Sequence, residues 1–426
     1  MATLDRSAFN TTLSVLALRV PKQQCGKFAS ALKPTLLKIP RVRPIVAADG
    51  DAASRLVLLS PDVSDVSELS EAAQQLVREH GATAVRHDVE LTYEHLDVSS
   101  ALRKLLPPTM EVPSSFQTVG HIAHLNLRDV QLPHKGVIGQ VIMDKNSPRI
   151  RTVLTKVGSI ATEYRTFSYE LIAGVEDMEA ECKENGCRFQ LNFAQVYWNS
   201  RLEAEHRRLA SSFQPGQVIC DLMAGVGPFA MPAAKKGLRV LANDLNPASF
   251  KWLKVNAGLN KVQDKVRCFN LCGREFVQRV TAEGGWDGDS DAPFDVAVMN
   301  LPGSALEFLD AFVGLGNARS AGGWPEARLP LVHCYCFSRG AVGQVNGDTD
   351  AVKEAGFHDD ILARAEAAMG ARPAQYEIAD VRDVAPGKRM FCLSFRLPKE
   401  IAYAEKSAAH EAEAEAGPDA KRSKTD

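Results

Sequence analysis

Asp221-Leu-Met-Ala-Gly-Val-Gly-Pro-Phe229 is the stretch on which the fold turns. It continues the apolar run Val218–Met223, read as a buried strand, and leads into a helical pattern at Pro228–Lys236. Glycine belongs where a backbone turns sharply and must approach a ligand closely. Gly225 and Gly227 therefore mark a strand, a tight turn and a helix. The alternation continues with a strand at Arg239–Asn243, a helix at Ser249–Asn260 and strands at Val266–Asn270 and Asp295–Met299. Strands alternating with helices from about Phe189 onward predict an α/β domain with a parallel sheet.

Such a turn holds a nucleoside cofactor, and two residues say which kind. Taken alone it fits the dinucleotide fingerprint, with Asp244 nineteen residues after Gly225 as the ribose acid. Asp221, however, puts a carboxylate where a pyrophosphate would lie, and anion beside anion is unfavourable. Pro228 also removes a backbone donor that a phosphate would use. S-adenosylmethionine has no phosphate and carries an ammonium and a sulfonium, which a carboxylate favours. The cofactor residues are then Asp221, Gly225 and Gly227 at the turn, with Asp244 on the ribose hydroxyls. Cys272 and Gly273, after the third strand, fall beside the adenine edge. A capping role for Asp244 ahead of the Pro247 helix is compatible with the same assignment.

With 426 residues the chain is too long for one compact core and predicts two or three domains. Its hydrophobic fraction, 45%, suits a globular protein, and no run of eighteen apolar residues exists to span a membrane. The nine cysteines are odd in number and mostly lie in apolar runs, which suits buried thiols in a reducing compartment. Cys334-Tyr-Cys336 has the wrong spacing for a zinc knuckle, so no metal is expected. The formal net charge of −2 hides an asymmetry. Residues 1–45 carry eight basic side chains against one acid, and residues 103–165 nine against four. A basic front on a near-neutral chain points to a polyanion, with nucleic acid the leading candidate and a merely solvated surface the alternative. The first residues fit a weak amphipathic Arg/Ser presequence, and no secretory signal is present.

Residues 1–95 read as a small α+β domain, with apolar stretches at Leu13–Val20, Ile45–Ala48 and Arg55–Leu59. A helical pattern across 96–113 ends at Pro107-Pro108, where a linker is expected. Residues 96–188 read as a mixed, β-rich middle domain. Val137–Met143 and Arg151–Val157 are its β-rich runs, divided by the turn cluster Asp144–Pro148. Residues 189–400 form the cofactor-binding domain. Polar loops are expected at 284–291 and 343–350, and a disordered tail at 401–426.

Two further stretches carry chemistry. Asn300-Leu-Pro302 follows the fourth strand, whose end should face the transferring methyl group, and Asn300 is placed to orient a ring edge or the methionine moiety. Gly303-Ser304 follows where exocyclic-amine methyltransferases carry an aromatic residue. In Phe193–His206, Tyr197 and Trp198 are adjacent, while Arg201 and Glu205 have the i,i+4 spacing of one helix face. Aromatic, Arg and Glu together suggest a pocket for a base taken out of its stack.

With these motifs the chain resembles the eukaryotic and archaeal tRNA (guanine(37)-N1)-methyltransferases, which modify guanosine 37 beside the anticodon. The matching stretches are Gly120–Leu127, Thr162–Arg165, Glu170–Gly174, Tyr197–His206, Asp221–Phe229, Asn243–Pro247, Asn300–Pro302 and Val381–Pro386. The resemblance implies an N-terminal domain touching the tRNA body, a middle domain and a Rossmann-like class I methyltransferase domain. It implies Glu205 as general base, Arg165 on the guanine O6, and Tyr197 and Arg201 in the pocket. His206, Asp244, Leu245, Cys272, Gly273 and Asn300 would contact S-adenosylmethionine. The family has Asp where this chain has Cys272, and a thiol is the weaker acceptor for the adenine amino group. The resemblance also implies tRNA as partner, a monomer, and cytoplasmic, mitochondrial-matrix and nuclear pools. The rival readings are the related aminocarboxypropyl transferase of wybutosine synthesis and a non-enzymatic tRNA-binding protein.

Overall fold

The computed structural model describes residues 4–113, 115–158, 164, 166, 168–288, 291–317, 324–340 and 350–405, with the backbone alone at 350–355. It contains two compact units, 1–156 with 169–176, and 157–168 with 177–426. Arg165, most of the loop expected at 343–350 and all but the first residues of the tail expected at 401–426 lie outside the described residues.

In the first unit, Ile45–Ala48, Asp51–Leu58, Thr11–Pro21 and Thr83–Leu91 form an antiparallel sheet in that spatial order. Both faces of Thr11–Pro21 are covered. Leu16, Leu18 and Val20 pack with Phe28 and Leu32, while Val15 and Ala17 pack with Leu37 and Val89 on the other side. Within the apolar stretch at Leu13–Val20, Val15–Leu18 is continuous because the strand is buried on both faces.

The same unit holds a second sheet, Gln117–Val119, Ile122–Leu125, Thr152–Val157 and Ser168–Gly174, with helices Val98–Leu105 and Lys135–Lys145. The β reading of Val137–Met143 is corrected here, since those residues are helical. Ile138, Gly139, Val141 and Ile142 are buried on one face, and the half-buried Val137 and Met143 outside it are apolar too, so the run shows no clear 3.6-residue period. A short apolar run of this kind does not distinguish a buried helix from a strand. Gly139 is where the Ile172 backbone comes close; a Cβ there would lie 3.0 Å from its carbonyl oxygen. The helical pattern predicted before Pro107 is the helix Val98–Leu105, and Leu102 and Leu106 belong to this core.

The second unit carries the predicted alternation. Its strands are β1 (Val218–Asp221), β2 (Arg239–Asn243), β3 (Val266–Phe269), β4 (Val296–Met299), β5 (Leu331–Ser338), β6 (Tyr376–Ala385) and β7 (Lys388–Arg396). They form one sheet ordered β3-β2-β1-β4-β5-β7-β6, parallel from β3 to β5, with β7 and β6 antiparallel at the end. The main helices are α1 (Glu203–Ser212), α2 (Ala230–Lys235), α3 (Pro247–Leu259), α4 (Gly273–Ala282) and α5 (Asp350–Met369). The strand order turns back at β1, and in such sheets ligands bind outside the carboxyl ends of the strands at that point. A hairpin, Glu179–Glu184 with Cys187–Asn192, lies against α3. All nine cysteines are free thiols. Among the described residues no helix is long and apolar enough to cross a membrane, and no His/Cys/Asp/Glu group is placed to hold a metal.

Candidate active site

At the carboxyl end of β1 the chain turns through Gly225 (φ +57°) and Gly227 (φ +98°), the left-handed region that favours glycine. At Gly227 a Cβ would lie 2.8 Å from Met231 Cε, whereas a Cβ on Gly225 would meet nothing within 4 Å. Gly227 is thus set by helix packing and Gly225 leaves the approach open.

Three side chains fix the loops around this turn. Asp244 accepts the Gly225 N–H at 2.8 Å on Oδ2 and the Asn246 N–H at 2.9 Å on Oδ1. The helix cap before Pro247 is Asn246, whose side chain accepts from Ala248 N–H, so Asp244 is free of that role. Buried Asn243 donates to the carbonyls of Leu222 (3.0 Å) and Leu271 (2.9 Å) and accepts from Leu271 N–H. That amide ties the glycine turn to the loop holding Cys272 and Gly273. Asn270 adds bonds to the carbonyls of Asp244 and Leu245. Leu245 itself is exposed. Gly273 opens α4 where a Cβ would lie 3.3 Å from both Met223 Cε and Phe308 Cδ1, a narrow apolar slot.

The slot and turn enclose a floor of buried acids. Asp221 is fully buried, and neither oxygen meets a donor in hydrogen-bonding geometry, although the nearby Met223 amide acts to lower its pKa. Burial first, and Asp244 second, push its carboxyl up to about 8. Burial also raises Asp244, offset by the amides of Asn246 and Gly225. Asn300 Oδ1, at the end of β4, is likewise buried without a partner, so it is no turn cap. Unpaired buried acceptors are costly. A ligand bearing an ammonium and a sulfonium matches these acceptors. The residues present therefore fit S-adenosylmethionine.

Helix α1 forms the other wall. His206 Nδ1 lies 2.5 Å from Glu184 Oε1, both side chains almost fully buried, and its Nε2 is buried without a partner. The imidazole meets Phe229 edge-on at 4.8 Å, and Phe229 lies 5.6 Å from Tyr335. The Tyr335 hydroxyl donates to Glu205 Oε1 at 2.7 Å. Met299 pairs with Cys334 across β4 and β5, so Tyr335 is level with Asn300. Glu205 is thereby held by the side chain of the β5 residue that is level with Asn300.

The expectation that Arg201 and Glu205 share one helix face is corrected. Arg201 lies outside the helix, in the turn Ser200–Leu202, and is exposed. The guanidinium on Glu205 belongs to Arg208, with Nε to Oε2 at 2.7 Å and Nη2 to Oε1 at 2.6 Å. The i,i+4 spacing failed because the first of its two residues precedes the α-helix. The adjacent aromatics also part company. Trp198 is buried against Phe189 at 5.3 Å, while Tyr197 is 46% exposed, its hydroxyl accepting from Asn199. Sequence reasoning missed Glu184, Arg208 and Tyr335. Arg208 had a local signal, its i,i+3 spacing from Glu205; the other two are joined to α1 only by the fold.

A family model described as the TRM5/TYW2 methyltransferase domain matches residues 180–321, and one described as the TYW2 N-terminal domain matches residues 98–178. A protein of Phytophthora infestans named tRNA (guanine(37)-N(1))-methyltransferase is 44% identical over 411 residues, covering 94% of this chain and 93% of its own. The crystal structure of Trm5b from Pyrococcus abyssi superposes with a TM-score of 0.57 at 25% identity, covering 90% of this chain and 99% of that one. A complex of aTrm5 with tRNALeu gives a TM-score of 0.61 at 20% identity, over 90% of this chain and 100% of that one, and shares the fold.

Proposed function

Because this chain belongs to the tRNA (guanine(37)-N1)-methyltransferase family, we propose that it methylates N1 of guanosine 37 in tRNA, using S-adenosylmethionine. The observation that carries this reading is that the unpartnered Asp221 and Asn300 acceptors, and Tyr335 whose hydroxyl holds the Glu205 carboxylate, stand near the carboxyl ends of the neighbouring strands β1, β4 and β5. Bound above the glycine turn, S-adenosylmethionine supplies an electrophilic methyl group. Asp221 would face its cationic methionine end, Asp244 the ribose through the lone pair that Gly225, Asn246 and Ser249 leave free, and the Cys272–Gly273 slot the adenine. Gly225, Gly227 and Leu245 shape the wall, and His206 offers Nε2 to the methionine end.

Guanine N1 carries a proton at neutral pH and is no nucleophile until that proton leaves. Glu205 accepts it: the N1–H bond breaks, an O–H bond forms on the carboxylate, and the electron pair stays on the ring. A positioned base contributes roughly 10²–10⁴-fold. Negative charge then gathers on O6, where a guanidinium stabilises it; the family resemblance assigns that part to Arg165. The exposed ring of Tyr197 suits stacking on a base taken out of the anticodon loop, with Arg201 beside it. Asn300 would orient the ring edge.

The test supplies labelled donor with two tRNA transcripts, one with guanosine and one with adenosine at position 37. Incorporation is expected in the first alone, with a product mass increased by one methyl group. Equal incorporation into both, or the mass of an aminocarboxypropyl group, overturns the proposal.

A further inference from the structure

Glu205 is held more tightly than a surface carboxylate needs to be. Its side chain is 11% exposed, and three hydrogen bonds end on its two oxygens. Oε1 receives both Arg208 Nη2 and the Tyr335 hydroxyl, and Oε2 receives Arg208 Nε alone. A carboxylate offers about four lone-pair sites, two on each oxygen. Three are taken, and the one that remains is on Oε2.

The direction of the clamp matters as much as its count. Helix α1 ends shortly before β1 begins, so it runs against the strands and its first turn, with Glu205, lies at their carboxyl edge. Arg208 is one turn deeper, near His333, which precedes Tyr335 on β5. Burial, then the nearby Arg208, holds the His333 imidazole down at about 4, so it is neutral at physiological pH. Burial likewise pushes the Cys392 thiol on β7 up to about 11 and the Tyr335 phenol well above its usual range. Arg208 is thus the cation facing Glu205 from beneath, among the described residues.

We propose that Tyr335 and Arg208 are positioning residues that fix the Glu205 carboxylate and leave one lone pair of Oε2 as the atom that receives the N1 proton. This rests on Glu205 being the general base. The Tyr335 ring is itself wedged against Phe229 of the glycine turn, so the base and the cofactor loop share a support. A carboxylate fastened at both oxygens cannot rotate, and a base misplaced by about an ångström loses roughly 10²-fold in rate.

The experiment measures single-turnover methylation by the full chain at saturating donor and tRNA, together with equilibrium binding of S-adenosylmethionine. Tyr335→Phe removes one hydroxyl from an otherwise unchanged ring and is expected to slow methyl transfer roughly tenfold, at unchanged donor affinity. Arg208→Gln should slow it at least as much, and Arg208→Lys, which keeps the charge without the two-pronged grip, should restore only part. The deciding measurement is non-additivity. In a Glu205→Gln background, Tyr335→Phe should cost nothing further, because a residue acting through Glu205 loses its effect when that carboxylate is gone. An equal further loss in that background, or wild-type rates in Tyr335→Phe and Arg208→Gln, overturns the clamp. A Glu205→Gln enzyme that methylates at the wild-type rate overturns the base assignment itself.

Discussion

Asp221 sits in the sheet with no hydrogen-bonded partner, and its carboxyl is pushed up to about 8 by burial and by Asp244. A carboxyl whose folded pKa is raised contributes stability that is present below its ordinary value near 3.8 and is lost as pH rises through about 8. The free protein should therefore lose stability across that window, and Asp221→Asn should flatten the loss. A cation bound beside Asp221 favours its ionised form, so binding S-adenosylmethionine at pH 7 should expel close to one proton per molecule. Calorimetry in two buffers of different ionisation enthalpy measures that number, and Asp221→Asn should abolish the release while weakening binding. No proton released by the unmodified chain would remove Asp221 from the cofactor site. The turn that brings Asp221, Gly225, Gly227 and Asp244 together was legible in the sequence, because acids and glycines at the ends of neighbouring strands leave a local pattern. Tyr335 was not, since it meets Glu205 across 130 positions.

Helix α3 does the work of a neighbouring strand for the Cys187–Asn192 edge. Asn256 accepts the Gln190 N–H at 2.8 Å and donates to the Gln190 carbonyl at 3.1 Å and to the Val226 carbonyl at 3.0 Å. Asn260 grips Arg188 in the same two-handed way, at 2.9 and 2.7 Å. Asn256 is fully buried, so replacing it strands an N–H and two carbonyls at once. With about 1–3 kcal/mol for each buried group left unpaired, Asn256→Leu should cost about 3 kcal/mol or more in denaturant unfolding. Asn256 also holds Val226 between the two glycines, so donor affinity should fall with stability. A loss below about 1 kcal/mol would mean that the helix–hairpin junction is dispensable. Nothing in the sequence marked these asparagines, because a side chain serving another element's backbone leaves no periodic trace. The parallel strands could be read for the opposite reason: each is a short apolar run bounded by turn residues, and helices intervene. Val137–Met143 shows where that logic stops, since apolar residues on its half-buried side blur the period that tells helix from strand.

At the scale of the molecule, the basic front is smaller in space than along the chain. Of the eight basic residues in 1–45, Arg6 is paired with Asp144 at 2.7 Å and Arg41 with Glu94. Lys145, from the second basic stretch, sits 3.7 Å from the centre of the Tyr93 ring, with the Arg6 guanidinium 5.3 Å from that same centre. These cations serve the first unit's own packing, joining its N-terminal strand region to the Lys135–Lys145 helix. Counting charge from sequence therefore overstates what is left for a polyanion, because it does not show which acids fold back onto which bases. Arg43 is exposed and keeps its charge for a partner. Each phosphate contact contributes about 0.9 to the slope of log binding constant against log salt on duplex nucleic acid, and about 0.7 on single strands. If the front meets tRNA, Arg43→Ala should flatten that slope by close to one contact, measured by fluorescence anisotropy with a tRNA transcript across a salt series. Arg41→Ala should flatten it less, since Glu94 already holds that guanidinium. Identical slopes in both variants and the unmodified chain would show that this surface is solvated and takes no part in tRNA binding.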